Sequence, residues 1–480
     1  MQVALSLVSH TNVGKTTLAR TLLRRDIGEV RDEAHVTLEA ERHLLIDAGE
    51  DRLELWDTPG FGDSVRLARR LSQARNPIGW FLLEVWDRWR DRAFWSSQRA
   101  VRHILDDADV VLYLVNAAEA PQDAAYLDAE LSILDLIGKP VIVLLNQLGA
   151  PRPRSEEAAE VARWRERTAG FKCVRQVLAL DAFARAWVQE DALLDAVARA
   201  LDPAKAGAFE RLRAAWRARG EATWRASMAV LAERVARAAR DREDVADSGL
   251  GSRLQEIGAA LGLRRDGGRT PRERAMHELA LRLDADVRRT TDRLIELHGL
   301  SGRAAATVLT RLAEHYAVRT PLSEGKAAVV GGVAAGALAG LKADLATGGM
   351  TLGAGLLVGG VLGALGAVGL ARGYNLVRGV ERPMLAWSDT VLDELVRAGV
   401  LGYLAVAHYG RGRGDWAASE HPAHWADALD ATLDPHREAM NALWERRHET
   451  SLEQELEALL GRVTGQVLDR LYPGSASIGA

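Results

Sequence analysis

The chain has 480 residues, which is too many for one hydrophobic core and predicts two or three domains. Its composition, 48% hydrophobic and 27% charged, is that of an ordinary globular protein and excludes a largely disordered one. The formal net charge of −4 gives no strong signal for nucleic-acid binding. A single cysteine, Cys173, excludes an intramolecular disulfide framework and a cysteine-cluster metal site.

Residues 1–202 alternate short apolar runs with helical stretches, which is typical of a parallel sheet flanked by helices. Two of the runs, 110–116 and 141–145, are almost continuously apolar, as buried parallel strands are. The other predicted strands are 3–8, 43–46, 53–56 and 174–180.

A phosphate-loop pattern, residues 9–17 (SHTNVGKTT), follows the first strand and precedes a helix. Such a loop wraps a phosphate with backbone N–H groups, and the helix N-terminus adds its dipole. Lys15 would reach the β- and γ-phosphates, and the Thr16 hydroxyl would bind Mg²⁺. Ser9 stands where the first glycine of the pattern belongs. The predicted nucleotide-binding residues of this loop are Asn12, Val13, Gly14, Lys15, Thr16 and Thr17.

A second motif, residues 53–60 (LELWDTPG), is a strand that ends in Asp-Thr-Pro-Gly. Asp57 would hold Mg²⁺ through water, and the Gly60 N–H would sense the γ-phosphate. A switch threonine is needed between the two motifs, and Thr37 is the candidate by elimination because residues 22–56 contain no other serine or threonine. The sequence therefore predicts Lys15, Thr37 and Gly60 as catalytic residues and Thr16, Thr37 and Asp57 as Mg²⁺ ligands.

The base-recognition motif should follow the strand 141–145, where the sequence reads Asn146-Gln147-Leu148-Gly149. GTPases normally have Asn-Lys-x-Asp here, and Gly149 supplies no carboxylate for guanine. Losing charge-assisted hydrogen bonds of roughly 1.5–3 kcal/mol each predicts weakened guanine selection. Asn146 would still bond the purine N7, and Gln147 would lie over the ring. A later loop at Asp181 and Ala182 would offer a backbone N–H to guanine O6.

The motif order, the Thr-Asn-Val-Gly-Lys-Thr loop and Asp-Thr-Pro-Gly-Phe make residues 1–202 resemble the Era-like branch of translation-factor-related GTPases. The whole chain resembles a bacterial GTPase family whose helical C-terminal domain has no assigned function. The resemblance implies Mg²⁺-dependent hydrolysis of GTP to GDP and phosphate. Asn12 matches an asparagine that helps coordinate K⁺ in potassium-activated members, although a purely loop-stabilising role for it stays open. Phe61 stands where many small GTPases have a water-orienting glutamine, so we expect slow intrinsic turnover.

Residues 203–480 lack strand signals and are interpreted as an all-α domain. A long amphipathic helix is predicted by apolar residues at helical spacing, a second helix begins at residues 270–273 and runs to about Gly299, and the tail 372–472 is predicted to be helical. The apolar residues of the first helix are Phe209, Leu212, Trp216, Trp224, Met228, Leu231 and Val235.

Residues 327–371 are almost entirely Ala, Gly, Leu and Val, with glycines at every fourth position in two runs. This spacing predicts a glycine-zipper helical hairpin, because a smooth glycine face lets two helices approach closely. A tightly packed soluble hairpin and contact with, or insertion into, a membrane both stay open. An aromatic-rich insertion at residues 64–105 is predicted to be a helix that either packs in the core or acts as a lever for the nucleotide state.

Together these features predict an α/β P-loop GTPase domain, Ras-like with a mostly parallel sheet, at residues 1–202, followed by an all-α domain at 203–480 with the glycine-zipper hairpin. The expected function is a GTP-hydrolysing switch with Mg²⁺ and K⁺ as candidate cofactors. Its expected partners are GTP, GDP and either a membrane surface or a helical protein. A degenerate nucleotide-binding scaffold, a purine-tolerant or ATP-using hydrolase and a membrane-remodelling GTPase are the alternatives. The first residues are interpreted as a strand and not a signal peptide, so we expect a cytoplasmic protein. Peripheral attachment to the inner membrane, or insertion into it, stays open.

Overall fold

The structure is a computed structural model that describes residues 1–10, 13–24, 40–73, 92–148, 154–180, 187–244, 271–300, 370–377, 380–408 and 423–472. The chain divides into two compact units. The first consists mainly of Met1–Thr223, and the second mainly of Trp224–Val406 and Ser419–Val467.

The first unit is an α/β fold around a six-stranded sheet with the strand order β2-β3-β1-β4-β5-β6. β2 is antiparallel to β3, and the other neighbouring strands are parallel, which confirms the predicted mostly parallel sheet. The elements are β1 (Gln2–Ser9), α1 (Lys15–Leu23), β2 (Glu41–Ala48), β3 (Asp51–Asp57), α2 (Ser64–Gln73), α3 (Arg92–Asp106), β4 (Val110–Asn116), α4 (Leu127–Ile137), β5 (Val141–Asn146), α5 (Arg154–Thr168), β6 (Val174–Ala179), α6 (Trp187–Ala200) and α7 (Pro203–Arg240).

The sheet is buried on both faces, which explains the continuous apolar runs of its central strands. Successive side chains of a strand point to opposite faces, and β4 shows this alternation fully. Val110, Leu112 and Leu114 join one core cluster, while Val111, Tyr113 and Val115 join the other. The parallel pairing of β1 with β3 sets Leu7 beside Asp57, so the ends of the two motif-bearing strands lie together.

The predicted long helix is α7, and all seven of its predicted apolar positions are buried. Its residues up to Thr223 belong to the first unit, where Phe209, Leu212 and Trp216 join the core cluster on one face of the sheet. Its residues from Trp224 belong to the second unit.

The second unit is mainly helical but also contains a small antiparallel sheet, so the prediction of an all-α domain was wrong in this respect. β7 (Arg242–Asp244), β8 (Leu370–Val377) and β9 (Val380–Trp387) form a sheet in the order β7-β9-β8. The remaining elements, which confirm a largely helical C-terminal region, are α8 (Pro271–Leu297), α9 (Asp389–Ala407), α10 (Ala423–Leu433), the short 3₁₀ helix Asp434–His436, α11 (Arg437–Glu445) and α12 (Leu452–Leu471).

The error concerns the beginning of the tail, which was predicted to be helical from residue 372, and the end of the predicted hairpin, since Leu370 and Ala371 lie in β8. The sequence carries two signals against a helix here. Pro383 lacks the N–H that a helix interior needs. In addition, the sequence contains Gly379, a residue type that is frequent in hairpin turns.

Two predictions fall on residues outside the described ones. The patterned glycines of the hairpin all lie within residues 301–369, and the tryptophans of the aromatic insertion at positions 80, 86 and 89 lie within residues 74–91. Among the described residues, none of the helices has the length and apolar character that crossing a bilayer requires.

Candidate functional site

The phosphate loop connects the end of β1 to the first turn of α1 at the carboxyl edge of the sheet. Gly14 caps α1 with a φ of 92°, in the left-handed region that favours glycine. A Cβ at this position would also come within 2.8 Å of Asn146 Nδ2. Both the backbone conformation and the close approach therefore require glycine here.

The Lys15 side chain is buried beside this loop, and its Nζ donates to Ser9 Oγ at 3.1 Å. Burial lowers the pKa of Lys15, while the nearby Asp57 and Glu130 carboxylates act in the opposite direction. The Ser9 hydroxyl in turn donates to the carbonyl of His10. The serine that replaces the first glycine of the pattern is thus accommodated by hydrogen bonds inside the loop, and it holds the lysine ammonium in place.

Thr16 and Asp57, the two described residues predicted to bind Mg²⁺, are in direct contact. Thr16 Oγ1 donates to Asp57 Oδ2 at 2.6 Å. Burial raises the pKa of Asp57 to about 6, against the lowering effects of Lys15 and Thr16. Its other oxygen, Oδ1, is buried and has no hydrogen-bond partner among the described residues. A hydroxyl and a carboxylate with one unsatisfied buried oxygen form a donor set of the hard kind that Mg²⁺ prefers, so the residues present fit this ion.

The segment after Asp57 is held along β1 at two points. Thr58 Oγ1 donates to the carbonyl of Leu7 at 2.5 Å, and the Phe61 N–H donates to the carbonyl of Ser9 at 2.9 Å. The Phe61 side chain is fully buried and packs in the core cluster that contains Leu67. Gly60 is therefore positioned between two anchored neighbours, next to the first residue of the phosphate loop.

Asn146 lies at the end of β5, fully buried, and its Nδ2 donates to the carbonyl of Val13 at 2.7 Å. The sequence assigned this amide to the purine, and the structure adds a contact with the phosphate loop that no local pattern indicated. Gln147 follows with a φ of 59°, a left-handed conformation that a non-glycine residue rarely adopts.

The described residues Val13, Gly14, Lys15, Thr16, Asp57 and Asn146 thus meet at one edge of the sheet, and Gly60 lies beside them. Thr17 is buried in the first turn of α1. The other predicted site residues lie outside the described residues, namely Asn12, Thr37, Asp181 and Ala182.

Sequence reasoning missed one feature of this edge. Glu130 on α4 is fully buried and contacts His10 of the phosphate loop, with 2.7 Å between Glu130 Oε1 and His10 Nδ1. Burial raises the pKa of Glu130, and its hydrogen bonds act against this rise. The two residues are 120 positions apart, and neither belongs to a spacing that would have paired them.

Two family models match the chain. Residues 4–147 match the 50S ribosome-binding GTPase model, and residues 169–462, more than half of the chain, match the domain of unknown function DUF3482. A comparison with curated proteins gave no match.

Similar solved structures include Era in complex with MgGDPNP and nucleotides of 16S ribosomal RNA, at 18% identity and a TM-score of 0.31. That match covers 42% of this chain and spans 57% of the length of the Era chain. Era from Aquifex aeolicus bound to GDP and AlF₄⁻ has 13% identity and a TM-score of 0.31, with 60% of this chain and 88% of that chain covered. NFeoB from S. thermophilus bound to GDP and AlF₄⁻ has 14% identity and a TM-score of 0.24, with 60% of this chain and 91% of that chain covered.

The family matches agree with the motifs and the strand order described above. The chain belongs to the DUF3482 family, and its N-terminal part is an Era-like P-loop GTPase domain.

Proposed function

We propose that this protein binds GTP with Mg²⁺, hydrolyses it slowly to GDP and phosphate, and uses the nucleotide state to switch its C-terminal helical part. The observation that carries the nucleotide chemistry is the meeting of buried Lys15 with the hydrogen-bonded pair of half-buried Thr16 and buried Asp57 at the mouth of the phosphate loop. Such a group of charges inside a protein is costly unless a charged ligand completes it.

In this proposal, the backbone N–H groups of the loop and the N-terminus of α1 bind the phosphates. Lys15 exchanges its contact with Ser9 for phosphate oxygens, because an anionic ligand is a stronger acceptor than a hydroxyl. Thr16, Thr37 and Asp57 would hold Mg²⁺, which neutralises phosphate charge when bound. The Gly60 N–H would donate to the γ-phosphate. Phe61 has no polar atom with which to orient water, so intrinsic turnover is expected to be slow.

A K⁺ ion held by Asn12 is proposed as the group that compensates for the missing glutamine. The support is the position of Asn12 in the loop sequence, directly before Val13. Turnover measured in KCl should exceed turnover in NaCl at equal ionic strength. Equal rates would leave Asn12 with the loop-stabilising role only.

Base recognition is proposed to involve Asn146, Gln147, Asp181 and Ala182, with reduced preference for guanine because Gly149 lacks a carboxylate. Competition of GTP with ATP and XTP measures this preference directly. The variant Gly149→Asp should increase the ratio of GTP to ATP affinity, since a carboxylate accepts charge-assisted hydrogen bonds from guanine. An unchanged ratio would remove this part of the proposal.

The switch acting on the helical part is supported by the continuity of α7, which contributes residues to both compact units. The tryptophans at positions 80, 86 and 89 of the aromatic insertion lie outside the described residues, so limited proteolysis of residues 74–91 is the informative test. Different cleavage with a GTP analogue and with GDP is expected, and identical cleavage would contradict the switch. Fractionation of intact protein against a variant lacking residues 327–371 tests the proposed membrane association.

The alternative is a nucleotide-binding scaffold with little turnover, and both Phe61 and Gly149 favour it. Single-turnover hydrolysis of γ-labelled GTP by the full chain separates the two functions. Release of phosphate that requires Mg²⁺ and is lost in Lys15→Ala is the expected result. Tight binding without phosphate release, in KCl as well as in NaCl, would favour the scaffold.

A further inference from the structure

The buried carboxylate of Glu130 joins the phosphate loop to the sheet and faces the beginning of α2. Its Oε1 accepts from His10 Nδ1 at 2.7 Å, and its Oε2 accepts from the Tyr113 hydroxyl at 2.7 Å. The Ser64 hydroxyl, at the first residue of α2, is buried close to the same carboxylate without forming a hydrogen bond to it. One side chain of α4 is therefore in contact with β4 and the loop after β1, and within reach of the segment after the Asp-Thr-Pro-Gly motif.

His10 is fixed by three contacts. Because a carboxylate can only accept, Nδ1 of the imidazole must be the donor to Glu130. The ring also stacks on Tyr126 at a centroid distance of 4.5 Å and an interplanar angle of 12°. Its backbone pairs with Phe61 in an isolated parallel bridge. The same residue thus touches α4 through its ring and the γ-phosphate-sensing segment through its main chain.

A role in stability alone does not account for this arrangement. A buried carboxylate loses its hydration, and its hydrogen bonds offset this cost only in part, so an apolar side chain of the same volume would serve stability as well. The pair also lies beside the segment that follows the Asp-Thr-Pro-Gly motif. The backbone of His10 sets the position of Phe61 and hence of the Gly60 N–H.

We propose that Glu130 and His10 form a positioning pair that holds the first turn of the phosphate loop in register with the segment Gly60–Phe61, so that this segment responds to the γ-phosphate. The inference rests on the proposed GTP hydrolysis. Contacts with the α- and β-phosphates come from the loop N–H groups and Lys15. Loss of the pair should therefore weaken the response to the γ-phosphate, in hydrolysis and in triphosphate binding, and leave GDP binding nearly unchanged.

The test uses the full-length protein and four single variants. Glu130→Gln and His10→Ala should lower the single-turnover rate constant about tenfold, the effect of losing one charge-assisted hydrogen bond. Their GDP dissociation constants should stay within about twofold of the wild-type value, on the same argument. His10→Asn places an amide N–H near the position of Nδ1 and should recover most of the rate.

Asp135→Asn is the matched control, because Asp135 is another acid of α4 and accepts a hydrogen bond from the Cys173 N–H at 2.6 Å, away from the loop. Its thermal stability should fall while its hydrolysis rate stays unchanged. If Glu130→Gln behaves like Asp135→Asn, or if His10→Asn fails to differ from His10→Ala, the pair is structural and the inference is wrong. A parallel loss of GDP affinity in Glu130→Gln would also contradict it.

A second measurement separates this inference from the proposed function. If wild-type protein binds nucleotides without hydrolysing them, the proposed hydrolysis fails, and the ratio of GMPPNP to GDP affinity still tests the pair. That ratio should fall in Glu130→Gln and His10→Ala and recover in His10→Asn. An unchanged ratio in all variants would overturn the inference.

Discussion

In the first unit, the buried lysine of the phosphate loop lies within electrostatic reach of two buried carboxylates, Asp57 and Glu130. In the second unit, buried Arg234 instead donates to the backbone carbonyl of Leu395 at 2.9 Å. The first arrangement leaves Asp57 Oδ1 without a hydrogen-bond partner among the described residues, whereas the second connects α7 to α9. Buried carboxylates beside a buried lysine at the phosphate loop fit a charged ligand, while a buried arginine that donates to a backbone carbonyl joins two helices.

Other arginines of the second unit also join packed elements. Arg237 pairs with Asp286, and Arg282 pairs with Asp241 and Glu243. Each of these pairs links neighbouring elements of the helical unit. Variants that change one unit and leave the other intact therefore test whether the first unit binds a charged ligand and the second unit only packs.

The largest effect is expected for Lys15→Ala. Removing the ammonium should weaken binding of GTP and GDP at least about 100-fold, because charge-assisted phosphate contacts are lost from a buried site. Isothermal titration calorimetry measures the change. The control is Lys205→Ala, since Lys205 pairs with Asp109 and lies outside the phosphate loop. Equal affinities of wild type and Lys15→Ala would contradict the assignment of the site.

The next effect concerns the stability of the nucleotide-free protein. The pKa of Asp57 is raised from 3.8 to about 6, so ionisation of this carboxyl destabilises the fold. This cost develops between about pH 4 and pH 6 and is fully present above that range, where it amounts to at most about 3 kcal/mol. Asp57→Asn should therefore unfold at higher urea than wild type at pH 7.5, and the difference should shrink at pH 4.5.

The same variant should lose the Mg²⁺ dependence of nucleotide binding. Asp106→Asn is the control for the stability measurement, because Asp106 is an exposed carboxylate of α3 that pairs with Arg102. A lower stability of Asp57→Asn than of wild type at pH 7.5 would show that the carboxylate is not a ligand-binding group held at a cost.

A smaller effect is expected at Gly399 on α9, where a Cβ would come within 2.6 Å of Arg234 Nη2 and 3.4 Å of Leu231 Cδ2. Gly399→Ala should destabilise the protein by about 1–3 kcal/mol, as overpacked cores do. Nucleotide affinity should not change, because the phosphate loop is not involved. Thermal unfolding followed by circular dichroism and nucleotide titration together check both statements.

The smallest effect provides the matched control for that variant. Gly461 is also a helical glycine of the second unit, but its added Cβ would meet the Trp224 ring at 3.7 Å, an ordinary contact distance. Gly461→Ala should stabilise the protein by roughly 0.5–1 kcal/mol through helix propensity. If both alanine variants shift stability in the same direction, the close approach of Arg234 to α9 is not a packing constraint.

The sequence was sufficient to predict the six strands of the first unit because its central strands have continuous apolar runs, the others are short apolar runs between helical stretches, and the phosphate loop is a contiguous motif. Asp57 was found for the same reason, because the Asp-Thr-Pro-Gly motif is contiguous and stands at the end of a predicted strand. The contact of Asn146 with Val13 and that of Glu130 with His10 were not predictable, because they join residues far apart in the chain. Only the tertiary fold brings such residues together.

The strands β8 and β9 were missed for a different reason. Overall apolar spacing in residues 372–387 was taken as helical, although Pro383 and Gly379 indicated a hairpin. The local turn chemistry outweighs the weaker periodicity in such a short segment.

Calorimetric titration of the full-length protein with GTP and GDP, in the presence of Mg²⁺ and KCl, tests the ligand assignment of the phosphate loop. We expect saturable binding of both nucleotides by the wild type and at least about 100-fold weaker binding by Lys15→Ala under the same conditions. Folded wild-type protein that binds no purine di- or triphosphate at millimolar concentration would contradict the assignment, and with it the proposed switch.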